Sequence, residues 1–240
     1  MKPSTTSRDV ADALRERILV GQIAPGTKLH QTPLSDEMGF SRTPVREALA
    51  NLTKEGLLEY RPNRGYSVRA FSLAEVVAAF EVRARLEALA CSLCARRGLS
   101  KATLDRLWGY VRSGDEILAS GRLDPADLVP YRKMNVEFHD TIIGASENHW
   151  LREFVRQTHN VPLASDRIIL WNDYHIIKRS HDDHRRITEA IAERDAARAD
   201  YLMTEHVTFA GQVLRNHLSE VSEGQRLFPD GVPRDETDKP

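Results

Sequence analysis

The stretch Ser41-Arg42-Thr43-Pro44-Val45-Arg46-Glu47-Ala48-Leu49 decides the reading of the amino-terminal part of the chain. Thr43 is a good helix N-cap, because its hydroxyl can accept from a backbone N–H of the first turn. Pro44 follows at the first helical position, where its missing N–H costs nothing and its fixed φ suits a helix. Val45, Ala48, Leu49 and Leu52 recur at helical spacing and form one apolar face. Arg42, Thr43 and Arg46 are left at the exposed amino end. Such a tip suits phosphate contacts and, in a major groove, bidentate arginine contacts to guanine. Taken alone, the stretch also fits an ordinary amphipathic surface helix with two arginines.

Its surroundings separate the two readings. Upstream, Thr32-Pro33 repeats the cap-plus-proline signature, Leu34 and Met38 face inward, and Gly39 ends a short helix. The two helices therefore meet across a tight turn, the helix-turn-helix arrangement. Earlier still, Pro25-Gly26 reads as a type II turn between short extended pieces. Val10, Ala13, Leu14 and Ile18 predict a first helix over residues 8–20, closed by Gly21. Downstream, the arginine-tipped helix runs to about Glu55 with Gly56 as its cap. Leu57–Tyr60, Arg61–Gly65 and Tyr66–Arg69 then read as strand, turn and strand, with basic residues at the hairpin tip. A helix-turn-helix followed by such a hairpin is a winged helix, whose wing lies along a backbone or reaches a minor groove. Residues 1–70 are thus expected to form a winged helix-turn-helix DNA-binding domain, with residues 1–6 disordered.

The chain has 240 residues, 41% of them hydrophobic, enough for one large domain or two smaller ones. No apolar run of about 18 residues is available to span a membrane, and the first residues lack the apolar core of a signal peptide. A cytoplasmic protein with no membrane partner is expected. Cys91 and Cys94 are too few for a disulfide framework. One turn apart in a helical pattern, they read as small buried residues rather than half a metal site or a redox pair. The net charge of −1 argues against nucleic acid until it is divided: residues 1–70 carry 11 Lys+Arg against 8 Asp+Glu, the remainder 23 against 27. The amino-terminal segment is the part that can meet a polyanion.

Ser72-Leu73-Ala74-Glu75 is a capping box that opens a long helix and sets a domain boundary near residue 70. From there to about residue 219 every periodic segment is helical. This predicts a bundle of six to seven helices over residues 71–221, a disordered tail over 222–240, and a mainly α fold class. Ala79, Val82, Leu86, Leu89 and Leu93 form the expected inward stripe of the first of these helices, which ends at Gly98. Ser100 caps the next, with Leu104, Leu107, Val111 and Leu118 inward. The others are expected from about Pro125 to Ala145, from His149 to Leu170 with a kink at Pro162, from Tyr174 to Arg194 and from Ala196 to Leu218.

Three of the nine histidines lie on apolar faces. Asn135 and His139 share a face with Phe138 and Ile142; His184 aligns with Ile177, Ile187 and Ile191; His206 aligns with Leu202, Phe209 and Val213. A single histidine so placed is more often a hydrogen-bonded core residue than a ligand. Three on separate helices, with an amide oxygen one turn from one of them, are costly to bury without partners, and a divalent cation satisfies all of them. Nitrogen-rich ligation favours zinc, with nickel or manganese as alternatives. Asp182 and Asp183 fall on the solvated side of their helix, and no carboxylate is clearly placed on an inward face. His30, His149, His159, His175, His181 and His217 receive no role.

These motifs resemble a known family. The first 70 residues look like the DNA-binding domain of GntR-type bacterial transcription regulators, on G-x-x-x-P-G-x-x-L (Gly21–Leu29), S-R-T-P-V-R-E-A-L (Ser41–Leu49), L-x-x-E-G-L (Leu52–Leu57) and the wing glycine Gly65. The resemblance implies that Arg42 and Arg46 contact a double-stranded DNA operator, assisted by Ser41, Thr43, Arg64 and Gly65. Thr32 stands where some members carry a further DNA-contacting arginine. The remainder resembles the all-helical FCD ligand-binding domain of the FadR branch. There the ligands sit in [DN]-x-x-x-H, in H-x-x-I-x-x-A-I and on the last helix, here Asn135 with His139, His184 with Ile187 and Ile191, and His206. In such domains the metal and a nearby arginine hold a small carboxylate. Arg83 is the position the resemblance offers, and Arg167 is a second, although Arg83 also reads as a solvated arginine paired with Glu87 at i,i+4. Asn135 in place of the commoner Asp removes a negative charge and implies weaker metal retention, or greater dependence on an anionic effector.

Three functions fit these residues. In the first, a homodimeric regulator binds a short palindrome, and a small carboxylate effector shifts the placement of its winged helices. The second is a metal-dependent hydrolase using His181-Asp182-Asp183-His184, which lacks an HExxH and a clear general base. The third is a constitutive DNA-binding protein with a structural metal site. The third would show no effector-dependent change in operator affinity.

Overall fold

A computed structural model describes residues 7–19, 21–161, 163–164 and 173–220, the side chains of 218–220 aside. The expected disorder of residues 1–6 and 222–240, the position of Arg167 and the proposed helix over 165–170 lie outside the described residues. The chain divides into two compact units, one holding the elements before Ser72 and the other those after it.

The first unit comprises α1 (Ser7–Leu19), β1 (Lys28–Leu29), α2 (Gln31–Met38), α3 (Arg42–Lys54), β2 (Leu58–Arg61) and β3 (Gly65–Val68). Its small antiparallel sheet has the order β1-β3-β2, with Leu58 opposite Val68 and Arg61 opposite Gly65. The core joins Val10, Leu14 and Ile18 of α1 to Val45, Leu49 and Leu52 of α3 and to Leu57 and Leu58. Ala13, expected inward, is exposed, and Ala11 is buried instead. Leu19 is buried too, which swings the apolar face of α1 towards the Ala11 side. Pro25-Gly26 makes the expected turn: Thr27 N–H donates to the Ala24 carbonyl at 3.1 Å, and Gly26 has φ +83°, the left-handed value a type II turn demands.

Both Thr-Pro pairs start helices, but not as caps. The N-cap residues are His30 for α2 and Ser41 for α3, and neither side chain makes a capping bond. Pro33 and Pro44 therefore occupy the third helical position. Their missing N–H still falls among those that have no intrahelical partner, so proline marks the first turn without marking its first residue.

The second unit contains α4 (Leu73–Arg97), α5 (Lys101–Ile117), a 3-10 turn (Pro125–Asp127), α6 (Leu128–Ala145), α7 (His149–Thr158), α8 (Tyr174–Ala192) and α9 (Ala196–Glu220). The six α-helices agree with the expected bundle. Ser100 caps α5 by accepting from Thr103 N–H, and Leu107, Val111 and Leu118 are buried. Cys91 and Cys94 are free, buried thiols; burial pushes Cys91 well up and Cys94 up to about 11, which makes both unreactive.

Two expectations for this unit fail. The inward face of α4 is not the leucine stripe: Val82 is 52% and Leu89 43% exposed, while Val76, Phe80, Ala84, Ala88, Cys91 and Ala95 are buried. α4 packs most extensively on α9, and small residues set how closely the two helices approach. At Gly211 of α9 an added Cβ would lie 3.0 Å from the Phe80 side chain. The buried face mixes Val76 and Phe80 at its amino end with small residues further on. The second failure is α7, which ends at Thr158 rather than running through Pro162. A proline at 162 offers no N–H to the Thr158 carbonyl and disfavours helical backbone at Val161. Among the described residues no helix is long and apolar enough to cross a membrane.

Leu49 is fully buried at the centre of the first core. Leu49→Ala should lower the stability of the first unit by about 2–5 kcal/mol, read by urea unfolding of the full chain. A loss under about 1 kcal/mol would contradict this packing.

Candidate functional sites: an arginine-tipped helix and a histidine centre

The apolar face of α3 is buried in the first unit, which leaves Ser41, Arg42, Thr43 and Arg46 exposed at its amino end. Unpaired backbone N–H groups there add the positive end of the helix dipole to two guanidinium charges. Arg42 donates an NH2 hydrogen bond to Thr32 Oγ1 at 2.6 Å, fastening the tip of α3 to the first turn of α2. Arg46 has no hydrogen bond or ion pair among the described residues. In the β2–β3 hairpin, Arg61, Pro62, Asn63 and Arg64 are exposed. Asn63 (φ +64°) and Gly65 (φ +76°) supply the left-handed backbone that folds the tip, and Arg64 N–H closes it on the Arg61 carbonyl. Arg61 is paired with Glu59 at 3.0 Å, so Arg64 is the arginine left at the turn.

In the second unit, α6, α8 and α9 bring His139, His184 and His206 together, with one ring nitrogen of each within 4.8 Å of the others. All three are buried. His139 Nε2 lies 3.3 Å from His206 Nε2. Two ligands of a tetrahedral zinc ion with bonds of about 2.0–2.1 Å stand about 3.3–3.4 Å apart, so this spacing fits a shared cation. His184 stacks on Phe138 at 4.2 Å, and neither of its ring nitrogens has a hydrogen-bond partner among the described residues. Burial first, then the imidazoles of His206 and His139, hold His184 well below its usual pKa; burial also lowers His206. Both shifts favour the neutral ring, the form that keeps a lone pair available to a metal. Asn135, also buried, lies one turn before His139 on α6.

Two carboxylates read as solvated or unplaced are also here. Asp183 is 3% exposed: Arg186 donates to its Oδ1 at 2.8 Å, and its Oδ2 lies 3.8 Å from His206 Nδ1. Asp182 is the solvated member of the pair and bonds Lys178. Glu87, on the small-residue face of α4, is 1% exposed. It accepts from Arg83 Nε at 2.5 Å, lies 2.5 Å from His139 Nδ1, and stands 3.7 Å from His159 Nε2. Burial pushes its carboxyl up, but Arg83 and His139 outweigh that and hold it well below the usual range. Arg83 is therefore paired with Glu87 as its spacing suggested, but buried rather than solvated, and it also donates to the Ala164 carbonyl at 3.0 Å. Sequence reading missed Glu87, Asp183, His159 and His181. The available signal was that Glu87 follows Arg83, and His181 precedes His184, by one helical turn. His181 is buried 3.1 Å from Asp115, against Gly114, where an added Cβ would come 2.1 Å from its ring. Glu87 is thus bonded to an arginine and a histidine and Asp183 to an arginine.

Comparison with known proteins agrees with both units. Residues 6–68 match the family described as bacterial regulatory proteins, gntR family, and residues 78–209 match the FCD domain. The chain is 31% identical over 172 residues to the Nta operon transcriptional regulator of Aminobacter aminovorans, covering 71% of this chain and 76% of that protein. It is 29% identical to the transcriptional repressor GlaR of Escherichia coli, over 84% of this chain and 92% of that one. Among solved structures, E. coli McbR/YncC shares the fold with a TM-score of 0.72 at 17% identity, over 90% of this chain and 99% of that one. The chain belongs to the GntR family of bacterial transcription regulators, carries an FCD domain, and is a DNA-binding regulator rather than an enzyme.

Proposed function

We propose that this is a cytoplasmic, FadR-branch repressor whose operator affinity is set by a small carboxylate bound at or near a divalent metal in the helical unit. The observation that carries the reading is the convergence of His139, His184 and His206, with His184 unpartnered among the described residues and two Nε2 atoms 3.3 Å apart. Zinc fits this donor set best, with Asn135 as a fourth ligand and nickel or manganese as substitutes. The ion supplies positive charge for an anionic effector. Arg83 is a partner for that anion only if Glu87 shares it, because the guanidinium is already bonded to Glu87. The relatives named as repressors, GlaR among them, support repression.

On DNA, Arg42 and Arg46 read base edges while Ser41, Thr43, Arg64 and Gly65 position the winged helix, with residues 1–70 as the DNA-binding domain, 71–221 as the effector and dimerisation domain, and 222–240 as a tail. The exposed stripe of Val82 and Leu89 on α4, flanked by half-buried Leu86 and Leu93, supports a homodimer, since an uncovered apolar row suits a second copy. A two-fold dimer calls for a palindromic operator.

Three measurements test this reading. Arg46→Ala should weaken binding to an operator selected from random duplexes by more than about tenfold at fixed salt, in line with about 1–3 kcal/mol for a bidentate base contact. Unchanged affinity would remove Arg46 from base recognition. After dialysis, His139→Ala and His206→Ala proteins should have lost the zinc that the wild type retains; wild-type content in both would dismiss the histidine centre. In a thermal-shift screen of small carboxylates, the stabilising compound should lose its effect when the metal is chelated. A shift that survives chelation would separate effector from metal.

A further inference from the structure

The buried carboxylates carry an inference about how the histidine centre is built, and it rests on the metal reading above. A histidine can meet a metal through either ring nitrogen, and the bond made by the other nitrogen decides which. Glu87 is bonded through Oε1 to Arg83 Nε, and its Oε2 lies 2.5 Å from His139 Nδ1. A carboxylate held by a guanidinium has only lone pairs to offer, so the hydrogen in the Glu87–His139 bond belongs to Nδ1. In a neutral ring that leaves the lone pair on Nε2, the atom that faces His206 Nε2. The second ring has only a charge nearby: Asp183 Oδ2 stands 3.8 Å from His206 Nδ1, neither atom has a hydrogen-bond partner among the described residues, and Arg186 occupies the other carboxylate oxygen.

We infer that Glu87 is a positioning residue of the metal centre, fixing the tautomer of His139 so that its Nε2 lone pair points at a cation shared with His206, and that Asp183, which makes no bond to His206, adds negative charge behind the second ring. Glu87 is the stronger of the two, because it alone bonds its histidine and its far oxygen is anchored by Arg83, itself fastened to the Ala164 carbonyl. The pair also bears on Asn135. With an amide where a carboxylate is commoner, the anionic charge beside the cation is supplied from behind the histidines instead. The centre then does not need a carboxylate in direct contact to hold a divalent ion.

The test combines a spectrum with an affinity, using zinc alone as probe. In metal-free wild type, nitrogen-15 NMR of the histidine rings should show His139 protonated on Nδ1, and zinc should perturb its Nε2 while Nδ1 keeps its proton. Glu87→Gln should weaken zinc binding about 10–100-fold, the range for loss of such a supporting carboxylate. It should still bind one zinc per chain at saturation, and Glu87→Asp should recover part of the loss. Asp183→Asn should give a smaller loss. Should Glu87→Gln fail to fold because Arg83 is left without its partner, the wild-type spectrum and Asp183→Asn still decide. An Nε2-protonated His139, or unchanged zinc affinity in both carboxylate variants while His139→Ala abolishes binding, would overturn the positioning role and leave the metal reading standing. Zinc binding that survives His139→Ala would overturn both.

Discussion

An imidazole withdrawn from water gives up hydrogen bonds at two nitrogens unless something inside the protein replaces them, and the helical unit withdraws three at one point. Each unreplaced bond costs roughly 1–3 kcal/mol, against a total stability of only about 5–15 kcal/mol for an ordinary domain. The bundle is arranged around meeting that demand. α4 contributes Arg83 and Glu87, α6 His139, α8 Asp183 and His184, and α9 His206, so four of the six helices share one polar chain. His184 alone retains two buried nitrogens with no partner among the described residues. The largest deficit at one side chain therefore falls on His184, although His206 Nδ1 and His181 Nδ1 also lack partners among the described residues.

This arrangement explains what could be read from the residues alone. Helices whose signal is local were legible: the glycine stop of α2, the serine cap of α5 and the type II turn at Pro25-Gly26 depend on neighbours in the chain. The three histidines were legible too, because a polar ring on an apolar stripe is an anomaly within a single helix. Glu87 and Asp183 were not. Their partners lie on other helices, and a charged residue read without its partner is assigned to solvent. The face of α4 failed for a related reason: leucine spacing measures how apolar a row is, whereas the helix pair needed the row of Ala84, Ala88, Cys91 and Ala95 that lets backbones approach. Thr43 was read as a cap because it precedes proline, yet Ser41 holds that position without a side-chain bond. Proline constrains the first turn, not a particular residue in it.

The two units meet different physical demands. The winged helix must keep its charges in water and available, and its core is accordingly all aliphatic, with the arginines outside it. The helical unit must keep its charges dry and mutually satisfied.

The bond from Arg42 to Thr32 gives the recognition tip an uneven character. A free arginine side chain carries about 2 kcal/mol of rotamer entropy that a rigid contact must extinguish. Arg42 has surrendered part of its freedom during folding, because its guanidinium is already tethered to α2, whereas Arg46 has no such tether among the described residues. In the proposed DNA contact Arg42 would serve as a pre-set template and Arg46 as an adaptable probe. In that contact the residue at position 32 would set how far the Arg42 guanidinium is held in advance.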